Sequence, residues 1–133
     1  FDINKFTNTE GKTAIYIQYT RVRIKSILEE LGHHSYSDSF DENDINQSEV
    51  NLLLSIIKFS DIFNRAKKLH EPHHLAEYLY EICQKFNTFY KDVRIIDDDN
   101  IGIQNRRVNV LVVTKKILEI VFEVLGIKAV NKM

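Results

Sequence analysis

Glu71-Pro-His-His-Leu-Ala-Glu-Tyr-Leu-Tyr-Glu-Ile-Cys-Gln-Lys-Phe-Asn-Thr-Phe-Tyr90 is the stretch whose reading decides the fold. Pro72 sits where the first turn of a helix tolerates a missing amide. Behind it Leu75, Tyr78, Leu79, Ile82, Phe86, Phe89, Tyr90 and Val93 fall at offsets of 0, 3, 4, 7, 11, 14, 15 and 18, one face of a long helix. Four of these eight positions are aromatic and two are tyrosine, whose hydroxyl needs a partner when buried. Either the core is aromatic here or something planar stacks on the face. The run alone favours the core.

Outward from this helix the pattern stays helical. The first segment is predicted from Thr13, as N-cap, to Leu31, with Gly32 as its stop. Asn46 with Glu49 reads as a capping box opening a second helix through Leu52, Leu53, Ile56, Ile57 and Phe59. A bend near Ser60-Asp61 leads to a third helix through Ile62, Phe63, Ala66 and Leu69. The Pro72 helix is the fourth. Val108-Asn-Val-Leu-Val-Val113 has strand propensity, yet extended to Leu125 its polar residues Asn109, Lys115, Lys116, Glu119 and Glu123 gather on one arc. The spacing predicts a fifth helix from about Arg106 to Gly126, capped by Ile127, as the central element. The expectation is an all-α bundle of about five helices forming one domain over residues 1–133.

Composition narrows the classes. A chain of 133 residues, 44% hydrophobic and 28% charged, can bury a core without disulfides. The single cysteine, Cys83, excludes an internal disulfide and a cysteine zinc cluster, and its place in the helical run suggests a buried filler in a reducing compartment. No stretch has the length of a membrane span, and no leader peptide is recognisable. The start at Phe1 suggests a piece of something larger. The net charge of −1 hides −4 over residues 35–60; the acid is concentrated in the Asp38–Asp44 segment and the Asp97-Asp-Asp99 run, both read as solvated loops. The remainder is mildly basic, compatible with a local phosphate-facing patch.

Catalytic and metal signals are thin. His33-His34 and His73-His74 are adjacent pairs, whose side chains diverge on a helix, and Pro72 interrupts the turn between His70 and His74. The aspartate run lacks calcium-loop spacing, no nucleophile motif occurs, and four glycines form no phosphate loop. Helix one offers more. Beside a core stripe of Ile17, Thr20, Ile24, Ile27, Leu28 and Leu31 runs a second stripe, Tyr16, Tyr19 and Arg23. Such a row suits stacking on a base and contact with its edge or a phosphate. It equally suits a core rim on which Arg23 pairs with a carboxylate such as Glu30.

Three segments together break the tie. Ala14-Ile-Tyr-Ile-Gln-Tyr-Thr-Arg-Val-Arg-Ile-Lys-Ser-Ile27 resembles the first helix of the anticodon-binding (DALR-type) domain of arginyl-tRNA synthetases. The Glu71–Tyr90 run, with its Phe-Asn-x-Phe-Tyr ending, is similar to that family's fourth helix. Arg107-Val-Asn-Val-Leu-Val-Val-Thr-Lys-Lys-Ile-Leu-Glu-Ile120 and Leu125-Gly-Ile-Lys-Ala-Val-Asn-Lys-Met133 resemble its last helix and tail, and the segments Phe1–Phe6 and Glu10–Ala14 its lead-in from the catalytic domain. The resemblance implies a helical domain of a class I synthetase that joins arginine to its tRNA, in the cytoplasm or an organelle, using ATP and Mg through an adenylate. This chain alone would hold no cofactor and perform no catalysis. Its implied partners are the anticodon loop of a tRNA for arginine and the catalytic domain of the parent chain.

The family's pocket carries over to Tyr16 and Tyr19, which should line or stack on the splayed loop, and to Arg23, which should donate to the middle anticodon base. Tyr90 should pack against that base, Asn87 should order the loop or bond a base edge, and Met133 should close the pocket with its side chain and carboxylate. These residues are expected to meet in one hollow open to solvent. Thr20, beside Tyr19, departs from a frequent alanine, Val130 from a frequent proline and Lys132 from a common arginine. The alternative is a stand-alone helical module, descended from the same bundle, that binds a protein partner.

Overall fold

A computed structural model describes residues 11–32, 42–96 and 100–130. The expected lead-in as far as Glu10, the His33-His34 pair, the Asp97–Asp99 run and Met133 lie outside the described residues. Five helices are described: α1 Gly11–Leu31, α2 Gln47–Ile57, α3 Phe59–Leu69, α4 His73–Asp92 and α5 Ile101–Leu125.

Their boundaries follow local chemistry. Thr13 lies inside α1 and does not cap it, because the helix already includes Gly11 and Lys12. Gly32 ends α1 at φ +66, a left-handed conformation that L side chains resist. Asn46 caps α2 as predicted, its side chain accepting from the Ser48 N–H at 2.8 Å. Glu49 does not complete a capping box: its carboxylate is drawn to Arg106 on α5. The break between α2 and α3 falls at Lys58, two residues before the expected bend. Pro72 stands at the N-cap of α4.

α5 starts five residues earlier than the periodicity suggests. Asn100 caps it by accepting from the Ile103 N–H at 3.0 Å, a signal hidden among the polar residues after Asp97. Its end matches the expectation: Gly126 sits at φ +72, its N–H donates to the Glu123 carbonyl, and the Ile127 N–H donates to the Phe122 carbonyl at 2.8 Å.

The central element is α4, which packs on all four other helices, whereas α5 packs on α1, α2 and α4 and leaves Val113, Ile120 and Val124 exposed. The near-continuous apolar run of α5 suggests centrality, but an aromatic stripe fills more volume per position. Leu75, Tyr78, Leu79, Ile82, Phe86 and Phe89 are all buried, and the Tyr78 hydroxyl finds its partner in the Ser55 carbonyl at 2.7 Å. Cys83 is a buried filler. The core reading thus holds for most of the stripe. It ends at Tyr90, which emerges from the core 42% exposed.

Candidate nucleic-acid interface

The seam where α1 meets the C-terminal half of α4 collects the candidate residues. Ile17, Thr20, Ile24 and Ile27 turn α1 onto the core. The rotation between the two stripes then leaves Tyr16, Tyr19 and Arg23 on the rim facing α4. Asparagine in a helix interior competes with its own backbone and is ordinarily unfavourable there. Asn87 is held because every polar atom of its amide is used. Its Nδ2 donates toward the Tyr16 hydroxyl at 2.9 Å, Thr20 Oγ1 at 2.8 Å and the Cys83 carbonyl at 3.0 Å. Two N–H groups serve three acceptors, so one bond is shared. Its Oδ1 accepts from Arg23 Nη1 at 2.6 Å. The amide orientation is fixed by chemistry, since a guanidinium can only donate and a carbonyl only accept.

Arg23 is in turn laid against two aromatic rings. Its guanidinium carbon lies 4.8 Å from the Tyr19 ring centroid and 4.5 Å from that of Tyr90, and Nη2 donates to the Tyr19 hydroxyl at 3.3 Å. Tyr90 is backed by Phe86, ring centroids 6.2 Å apart. Tyr19, 48% exposed, and Tyr90 both present surface to solvent beside the cation. No carboxylate among the described residues ion-pairs with Arg23, so the Glu30 pairing is not formed. Burial raises the pKa of the Tyr16 hydroxyl above its usual value, against the lowering effect of its Asn87 bond, and keeps it protonated.

Five of the six residues singled out by sequence therefore converge: Tyr16, Tyr19, Arg23, Asn87 and Tyr90. Met133 lies outside the described residues. Thr20 joins the group as a buried hydroxyl that accepts from Asn87 and donates to the Tyr16 carbonyl at 2.8 Å. Its bonds therefore tie it to Tyr16 rather than to Tyr19.

Sequence reasoning missed three further arrangements. Gln18 and Arg21, off both stripes of α1, hold the chain after α5: Gln18 Nε2 donates to the Lys128 carbonyl at 2.8 Å, its Oε1 accepts from the Val130 N–H at 3.1 Å, and Arg21 Nη1 donates to the Val130 carbonyl at 3.2 Å. Glu49, fully buried, takes Nε and Nη2 of Arg106 at 2.7 and 3.0 Å, while Arg106 Nη1 and Nη2 reach the Asn43 and Asp44 carbonyls. The capping-box pattern conceals that role. Finally, donor atoms of Glu71, His73 and His74 lie within 4.8 Å of one another, although the histidine spacing argues against a shared metal face. The 2.7 Å contact between His74 Nε2 and Glu71 Oε2 accounts for part of that closeness.

Fold and site together define an all-α binding module whose seam presents an oriented cation between half-exposed aromatic rings. The chain belongs to the DALR anticodon binding domain family, whose model matches residues 17–133. It is 38% identical over 137 residues to an arginine–tRNA ligase of Agathobacter rectalis, and 36% identical over 135 residues to one of Alkaliphilus oremlandii. Each comparison covers 100% of this chain and 23% of the ligase, so the chain spans under a quarter of these relatives. Among solved structures it superimposes on Thermus thermophilus arginyl-tRNA synthetase with a TM-score of 0.78 at 25% identity, covering 100% of this chain and 23% of that one.

Proposed function

We propose that this chain is the C-terminal anticodon-binding domain of an arginine–tRNA ligase. In this reading the anticodon loop of a tRNA for arginine docks on the α1–α4 seam. Arginine codons carry G in the middle, so the middle anticodon base is cytosine, with a carbonyl oxygen and a ring nitrogen that accept. Arg23, donor-only and held beside two rings, supplies the complementary edge, while Tyr19 and Tyr90 give an unstacked base a ring to lie on. Tyr16 and Asn87 hold the arginine in place, and Met133 closes the pocket. Aminoacylation, with ATP and Mg, belongs to the catalytic domain of the full enzyme in the cytoplasm. No described helix is long and apolar enough to cross a membrane.

The observation that carries this reading is Arg23 resting on two half-exposed tyrosines without a carboxylate partner among the described residues. A core-rim arginine would neutralise itself. Its test is a binding titration with a tRNA for arginine at low ionic strength. Tyr90→Ala is expected to lower affinity by about 1–3 kcal/mol, the worth of one base–aromatic stack, and Arg23→Ala by a similar amount, both with unchanged helical content. Parental affinity in both variants would remove the assignment and favour a module that binds protein.

A further inference from the structure

We propose that Gln18 and Arg21 are positioning residues for RNA binding, which lash residues 128–130 beyond α5 across α1 and so fix the path of the chain there. The inference rests on the proposed function and adds the device that holds the chain just after α5.

The left-handed turn at Gly126 sends the chain off the end of α5. From there Ile127 and Ala129 pack against the core while Lys128 and Val130 are exposed, the period-two alternation of an extended segment. An extended segment has main-chain groups to satisfy, and no strand lies beside it among the described residues. One side chain substitutes for that strand. The Gln18 amide donates to one main-chain carbonyl and accepts from the N–H two residues on, which fixes the register of the segment. Arg21 adds the Val130 carbonyl. All three bonds go to main chain, so they set the path and are indifferent to the side chains that follow.

Arg21 is itself anchored. It is 8% exposed and its guanidinium reaches Glu119 of α5 at 3.6 Å, tying helix, tail and α5 at one point. Gln18 immediately precedes Tyr19, and Arg21 lies two residues before Arg23, on one continuous helix. The departure point of the segment after Val130 is therefore fixed relative to the Tyr19–Arg23–Tyr90 cluster.

The test separates positioning from a general effect on the fold. Gln18→Met keeps length and helix propensity and removes both hydrogen bonds. It is combined with a chain ending at Ile127, and each form is titrated with a tRNA for arginine. In the full chain Gln18→Met is expected to weaken binding about fivefold, the usual worth of one or two net hydrogen bonds. In the shortened chain, itself weakened at least as much, the same substitution should change nothing. An equal loss in both backgrounds, or no loss in the full chain, overturns the inference. If Tyr90→Ala still weakens binding in that case, only the positioning role falls. If it does not, the proposed function falls with it.

Discussion

At the residue scale Asn87 is the pivot. One amide satisfies Tyr16, Thr20 and the Cys83 carbonyl on one side and Arg23 on the other, so it joins α4 to α1 and aims the guanidinium in the same act. Asn87→Leu would remove these four hydrogen bonds from a half-buried seam. The expected cost is about 1–3 kcal/mol of stability, read as a fall in the chemical-denaturation midpoint, together with weakened tRNA binding as Arg23 loses its orientation. In the sequence Asn87 stands out through a motif alone. Its spacing behind Phe86 gives no hint that it points across the seam, because hydrogen-bond partners 64 to 71 residues away leave no local periodicity.

At the element scale, the helices were legible and their ends less so. Apolar spacing located all five, since burying one face imposes a period near 3.6 on the sequence. Caps failed where a polar residue had a stronger distant partner. Glu49 left the Asn46 cap for Arg106, and the fully buried carboxylate now joins the start of α2 to α5. Glu49→Ala would take from Arg106 its buried carboxylate partner, and the expected loss is about 3–5 kcal/mol in equilibrium unfolding. The C-terminal cap of α5 is simpler. A methyl group added at Gly126 would meet open space, so Gly126→Ala costs only the left-handed backbone strain, about 1 kcal/mol in the same measurement.

At the scale of the whole molecule, the aromatic and thiol groups of the α4 core set the alkaline limit. Burial pushes the Cys83 thiol up to about 12 and raises the Tyr78 and Tyr16 hydroxyls. Each is raised above its unfolded value, so the neutral form stabilises the fold fully below the unfolded pKa. That stability is lost as pH rises through the folded value. The thermal midpoint should therefore be insensitive to these groups from pH 7 to about 8.5 and fall progressively above about pH 9 to 10, where the unfolded thiol and phenols ionise first. Cys83 should also resist a thiol reagent at pH 8 until the protein is unfolded. Labelling at the rate of an exposed thiol would contradict the buried placement of α4.

The central claim is that the α1–α4 seam reads a base, and one comparison addresses it directly. The wild-type chain and its Arg23→Ala variant are each titrated with a tRNA for arginine and with the same tRNA changed only at the middle anticodon base. Wild type should prefer the unchanged tRNA by about 1–3 kcal/mol, and the variant should bind both alike. Equal wild-type affinity for the two tRNAs, or a preference that survives Arg23→Ala, would contradict the account.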